Sequence, residues 1–151
     1  MPSENEDLFS EFGKLYWGLS REMSYMWKDI FEKHFPGSQS HILFLLERHG
    51  QKKMSEVAES LYLTPGAVTT ASDKLLKNGY IERVRDEQDR RSVYIAITDL
   101  GRETITKLQR EGLAVMKVVF GHSSDKELGF LIETFKQANT TVSRIRKDKE
   151  V

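Results

Sequence analysis

Two stretches of the chain carry residues whose types and spacing suit contact with a polyanion. The first is Arg85-Asp86-Glu87-Gln88-Asp89-Arg90-Arg91, a run without an apolar side chain. Its arginines suit phosphate oxygens or a narrow minor groove. The three acids among them equally suit a solvated hairpin tip, where Asp86 or Asp89 holds an arginine in place and dilutes its charge. The second stretch is the helical segment that starts at Pro65. Its outward positions are Gly66, Ala67, Thr69, Thr70, Asp73, Lys74 and Lys77. They are small or polar at the start and cationic towards the end. Small side chains allow close approach to base edges, and threonine meets either a hydrogen-bonding edge or a thymine methyl. The same face also fits an ordinary antiparallel helical pair with a polar exterior.

Other chemistries find no support. The four histidines, His34, His41, His49 and His122, are scattered and form no His-x-x-x-His pair, so neither a metal site nor a cofactor is expected. No glycine-rich phosphate loop or nucleophile elbow is present. The absence of cysteine excludes a thiol nucleophile, a disulfide scaffold, cysteine-bound zinc and a thiol oxidant sensor. With no catalytic constellation, an enzyme is not expected.

The elements that must position the two stretches follow from local signals. Residues 38–49 read as a short helix with Ile42, Leu43, Leu45 and Leu46, stopped by Gly50. A second helix runs to Leu61, with Ser55 as its expected N-cap and Glu56 in its first turn. Tyr62-Leu63 leads straight to Thr64-Pro65, an N-cap type followed by proline at the first helical position. The third helix ends at the Asn78-Gly79 stop signal. Two short helices across so brief a turn form a helix-turn-helix pattern. Ala58 is small enough for a close crossing, and Val68, Ala71 and Leu75 form the buried side of the second member. Tyr80 to Val84 and Ser92 to Thr98 then read as strands. The charged run between them becomes the tip of a hairpin, a wing.

The chain ends have another character. Eight of the aromatic residues lie in the first 35 positions. Leu8, Phe9, Phe12, Leu15, Tyr16, Leu19, Met23, Met26, Trp27, Ile30 and Phe31 recur at helical steps, predicting one long helix of roughly 40 Å that stops at Pro36-Gly37-Ser38. Residues 102 to 120 read as a helix with Ile105, Leu108, Leu113, Met116 and Val119, stopped by Gly121. Leu128, Leu131, Phe135, Ala138, Val142 and Ile145 then step like a heptad seam, entered through a Ser124/Glu127 capping box. Such seams either pack on each other within one chain or interlock with a second copy. The second arrangement is favoured, because the seams exceed what the small middle segment covers.

Composition bounds the rest. The 151 residues, 17.5 kDa, are 38% hydrophobic, enough for a core, and 23 basic residues balance 23 acidic ones. Any argument for nucleic acid is therefore local and not global. No apolar run approaches the ~18 residues that span a bilayer, and Met1 to Asp7 is polar and acidic, so no membrane partner and a cytoplasmic location are expected.

Residues 54–101 resemble the multiple-antibiotic-resistance regulator (MarR) family of winged helix-turn-helix transcription factors. The resemblance rests on Ser55-Glu56-Val57-Ala58-Glu59-Ser60-Leu61 and on Leu75-Leu76-Lys77-Asn78-Gly79-Tyr80-Ile81-Glu82-Arg83. Its strongest part is Asp86-Glu87-Gln88-Asp89-Arg90-Arg91, followed by Ile97-Thr98-Asp99-Leu100-Gly101. The chain departs from the family pattern at Ala71 and Ser72, where larger aliphatics are common, and at Thr70, where arginine is frequent. The resemblance implies a mainly α fold with a small β wing. Residues 1–37 would form an N-terminal dimerisation helix, 38–101 the winged DNA-binding lobe and 102–151 the C-terminal dimerisation helices. It implies a homodimer on double-stranded DNA with an inverted-repeat operator, repression, and release by a small aromatic or amphipathic effector. Residues 65–77 would enter the major groove, with Arg90 and Arg91 reaching the minor groove. Tyr16, Trp17, Tyr25, Trp27 and His41 are candidates to line the effector cleft, or else are plain core and dimer-interface residues. Two rivals stand beside this reading: a winged protein-interaction module without DNA binding, and a small-ligand-binding protein or enzyme built on the helical ends.

Overall fold

The computed structural model describes residues 3–149; Met1, Pro2, Glu150 and Val151, the outer ends of the first and last expected segments, lie outside them. The chain forms two compact units, 1–112 and 113–151.

The first unit opens with α1, Glu4–Trp27. Ser3 and Glu6 cap it reciprocally: the Glu6 carboxylate accepts the Ser3 N–H at 2.9 Å, and the Ser3 hydroxyl accepts the Glu6 N–H at 3.3 Å. The helical path continues through Lys28–Glu32, but as a turn of π-helix, so the expected uninterrupted α-helix is widened before it stops. Helix α2, Gln39–His49, buries Ile42, Leu43 and Leu46. Phe35 joins them at 0% exposure and meets Tyr80 edge-on, ring centroids 4.9 Å apart.

Next come β1, Lys52–Lys53, and α3, Met54–Leu61. Neither the strand nor the position of the cap follows the sequence reading. Helix α3 starts one residue before Ser55, and its first turn is secured by Glu56, whose carboxylate accepts the Lys53 N–H at 2.7 Å. The physical reason is β1: once Lys52 and Lys53 pair with the sheet, their extended backbone makes Lys53 the residue at which the helix begins.

Helix α4, Pro65–Lys77, begins as expected, with the Thr64 hydroxyl accepting the Ala67 N–H at 3.2 Å. The turn before it places Tyr62 in the left-handed region, φ 54°. Helix α4 ends at Asn78-Gly79, and Gly79 takes φ +77°, a conformation that costs glycine little.

Strands β2, Ile81–Arg85, and β3, Val93–Ile97, pair antiparallel with Ile81 opposite Ile97 and Arg85 opposite Val93. Strand β1 adds to the other edge of β3, giving the order β1-β3-β2. A two-residue strand has no alternation to read, which is why the third strand was invisible in the sequence. Helix α5, Asp99–Val119, starts three residues before the expected 102, within Thr98-Asp99-Leu100-Gly101, because the Thr98 side chain caps it. The Thr98 hydroxyl donates to the Gly79 carbonyl at 2.7 Å and accepts the Gly101 N–H at 3.1 Å. One side chain thus caps the new helix and ties it to the end of α4. Ile105 and Leu108 complete the core beneath the sheet, which gathers Val57, Val68, Leu75, Ile81 and Ile95.

The second unit holds the end of α5 and helix α6, Asp125–Lys149. The Ser124/Glu127 box is present: the Glu127 carboxylate accepts the Ser124 N–H at 2.7 Å, and the Ser124 hydroxyl accepts the Glu127 N–H at 3.2 Å. No residue of α6 is buried. Phe135, Val142 and Ile145 are about half exposed, as are Phe12, Leu15 and Tyr16 of α1. The single chain leaves both seams uncovered.

Candidate nucleic-acid interface

Helices α3 and α4 form the helix-turn-helix. Val68, Ala71, Ser72 and Leu75 turn into the core, which leaves the opposite side of α4 to solvent. Gly66, Thr69, Thr70, Asp73, Lys74 and Lys77 are all exposed, and Ala67 is half-buried. The expected reading face is therefore one continuous surface. Neither threonine hydroxyl is free to donate: Thr69 Oγ1 donates to the Pro65 carbonyl and Thr70 Oγ1 to the Gly66 carbonyl, both at 3.0 Å. Asp73 is held by Arg83 of β2, guanidinium to carboxylate 4.0 Å. That pair lies between two largely exposed side chains, so its energetic weight is small, but it offsets the one acid on the face. Ser72 is fully buried and its hydroxyl has no hydrogen-bond partner among the described residues. The expected buried side of α4 omitted it because a serine is polar, although its spacing, four residues after Val68 and three before Leu75, places it on that face.

The hairpin between β2 and β3 carries the charged tip. Its aspartates fix the turn, and Asp89 holds an arginine through that residue's backbone N–H. The Asp86 carboxylate accepts the Gln88 N–H at 2.9 Å, and Asp89 accepts the Arg91 N–H at 3.0 Å and the Ser92 hydroxyl at 3.2 Å. Turns of this kind are what short acidic side chains do well. Among the described residues no carboxylate lies within ion-pair distance of Arg85, Arg90 or Arg91, and all three are exposed. The acids shape the tip while its guanidinium groups stay available. On the other edge of the sheet, the Lys53 ammonium sits 5.6 Å from the centre of the Tyr94 ring.

A cleft of about 850 Å³ opens within the first unit, between the end of α1, the π turn, α2 and the first half of α5. Tyr25, Trp27 and His41 line it, as expected; Tyr16 and Trp17 do not. Those two lie farther up α1, exposed, in edge contact with each other at 5.9 Å. The sequence reading missed Arg21, Lys28 and Arg48, which give the wall three cations against the single acid Glu32. No local signal marks them, since the cleft exists only where four separate elements meet. Gly112 admits the rings behind it: a Cβ there would stand 3.3 Å from Trp27 and 3.4 Å from Phe31. Among the described residues no group of three or more histidines, aspartates or glutamates could hold a metal, and no helix is long and apolar enough to cross a membrane.

Comparison with known proteins agrees with this architecture. The model of the MarR family matches residues 36–93, from the turn before α2 to the first residue of β3. The HTH-type transcriptional regulator YkoM of Bacillus subtilis is 34% identical over 101 residues, a match spanning 66% of this chain and 66% of that one. Among solved structures, a MarR family protein from Bacillus stearothermophilus superposes with a TM-score of 0.81 at 22% identity, covering 93% of this chain and 99% of that one. Streptococcus pneumoniae FabT in complex with DNA gives a TM-score of 0.74 at 22% identity, covering 91% and 99%. From the family match, the sequence relative and the shared winged helix-turn-helix fold together, the chain belongs to the MarR family.

Proposed function

We propose that this chain is a homodimeric, sequence-specific DNA-binding transcriptional regulator, a repressor of an inverted-repeat operator that acts in the cytoplasm and is released by a small ligand. The observation that carries the reading is the wing: Asp86 and Asp89 are committed to backbone amides, while Arg90 and Arg91 are exposed and, among the described residues, free of carboxylate partners. Beside it stands the exposed face of α4, with Thr69 and Thr70 where base edges would lie and Lys74 and Lys77 where phosphates would lie. The near-zero net charge is no obstacle, because the cations are gathered locally. Residues 1–37 and 102–151 serve dimerisation in this reading, supported by the uncovered apolar seams of α1 and α6. The cleft beside Tyr25, Trp27 and His41 is the effector site. A ligand acts there by binding better to a state whose two reading helices no longer match one turn of DNA, roughly 34 Å. Every step is a binding equilibrium, and no covalent chemistry is assigned.

The test is a selection. The purified protein is mixed with fragmented genomic DNA at about 0.1–0.15 M salt, and the bound fragments are recovered and sequenced. Enrichment of an inverted repeat is expected. Absence of any salt-dependent enrichment would favour a winged module that works through protein contacts.

A further inference from the structure

Thr69 and Thr70 occupy the first half of α4, and each hydroxyl proton is spent inside the helix, on the Pro65 and Gly66 carbonyls at 3.0 Å. A hydroxyl has one proton and two lone pairs. Each threonine therefore offers an outside partner only its γ-methyl and its two acceptor lone pairs. The neighbours add no donor either: Pro65 and Gly66 are exposed without polar side-chain atoms, and Ala67 presents a methyl. At Gly66 a Cβ would find nothing within 4 Å, so nothing inside the protein limits how closely a partner approaches there. Side-chain donors flank this patch: before it the exposed Thr64 hydroxyl, which accepts the Ala67 N–H and keeps its own proton, and after it Lys74.

A major groove edge meets such a surface selectively. Guanine presents two acceptors, O6 and N7, and would find no side-chain donor opposite Thr69 or Thr70, whose protons stay in the helix. Thymine presents a 5-methyl group, and adenine an amino group that donates. Methyl meets methyl, and the threonine oxygen accepts from adenine. We infer that Thr69 and Thr70 read thymine methyl groups in an A·T-rich half-site, through apolar contact and not through donated hydrogen bonds. This rests on the proposed DNA-binding function and goes beyond it by stating which bases the helix selects.

The experiment starts from a pool of random duplexes selected at about 0.15 M salt. The enriched sequence is then remade with deoxyuridine in place of thymidine at the half-site positions, which removes only the methyl groups. Affinity is expected to fall about fourfold for each contacted methyl. Two double variants separate the groups. Thr69→Val with Thr70→Val keeps the methyls and should keep the preference for thymidine over deoxyuridine. Thr69→Ser with Thr70→Ser keeps the hydroxyls and should lose it; circular dichroism checks that both variants fold. An enriched inverted repeat bound equally with thymidine or deoxyuridine, or a thymidine preference kept by the serine pair and lost by the valine pair, would overturn this inference alone. No enriched sequence would overturn the DNA-binding function and this inference with it.

Discussion

The carboxylate of Asp89 accepts the backbone N–H of Arg91 at 3.0 Å, while the Arg91 guanidinium has no acidic partner among the described residues. One residue thus shapes the tip and its neighbour supplies the charge. Arg91→Ala should weaken DNA binding and lower the slope of log affinity against log salt by about one; Arg90→Ala should act in the same direction. Asp89→Ala should weaken binding by loosening the tip while leaving that slope unchanged. Anisotropy titrations at several salt concentrations separate the two effects, and full binding by both arginine variants would contradict the role of the wing.

Ser72 offers a test of packing. Its hydroxyl is buried without a partner among the described residues, so desolvation is uncompensated. Ser72→Ala removes that oxygen and leaves only a small void. Stability should rise by about 1 kcal/mol, read as a higher urea midpoint with an unchanged slope. A clear loss of stability would mean that the hydroxyl is satisfied in solution.

Gly101 tests the start of α5. A Cβ there would overlap the Tyr80 carbonyl oxygen and press on the Ile97 side chain. Backbone cannot yield as a flexible side chain can, so Gly101→Ala should destabilise by about 1–3 kcal/mol in urea denaturation, the usual scale of overpacking. Gly66→Ala, with open space around it, should not destabilise.

Acid should loosen the entrance to α6. The Ser124 backbone N–H, and after it the Ser124 hydroxyl, hold the Glu127 carboxyl below its ordinary value of 4.5. The folded value is lowered, so the stabilisation is complete above the unfolded value and is lost as pH falls through the folded one. In an NMR titration, Ser124→Ala should move Glu127 part of the way back up, because the larger backbone contribution survives. No movement would mean that the hydroxyl contributes nothing.

The uncovered seams predict a dimer. Phe12 is 61% and Leu15 66% exposed in the single chain. Leu15→Glu should shift sedimentation from dimer to monomer while the core around Leu43 and Ile95 keeps its cooperative unfolding. A dimer unaffected by this change would move the interface elsewhere.

The winged core was legible because its signals are local. Thr64-Pro65, Asn78-Gly79 and the Ser124/Glu127 box act over three or four residues, and backbone capping needs nothing distant. Local signals placed the start of α5 at residue 102, three residues late; Thr98 and Gly101 carried it only through the family resemblance, and the carbonyl that forbids a side chain at Gly101 belongs to Tyr80. The candidate interface was legible in outline, since helical period alone sorts Val68, Ala71 and Leu75 from Thr69, Thr70 and Lys74.

What only tertiary structure decided depends on groups far apart in the chain. Lys52 and Lys53 are a strand because β3 lies beside them, and that pairing shifts the start of α3 away from Ser55. Ser72 is buried because the core closes over it. Asp86 and Asp89 turn to backbone amides once the hairpin brings those amides within reach. Tyr25, Trp27 and His41 share a cleft with Arg21, Lys28 and Arg48, whereas Tyr16 and Trp17, of the same residue types, lie outside it. Sequence period and capping chemistry set which face each helix buries and where most helices begin and end. Which side chains meet across elements is set by the packing of the whole, because a contact between distant residues leaves no trace in the spacing of either.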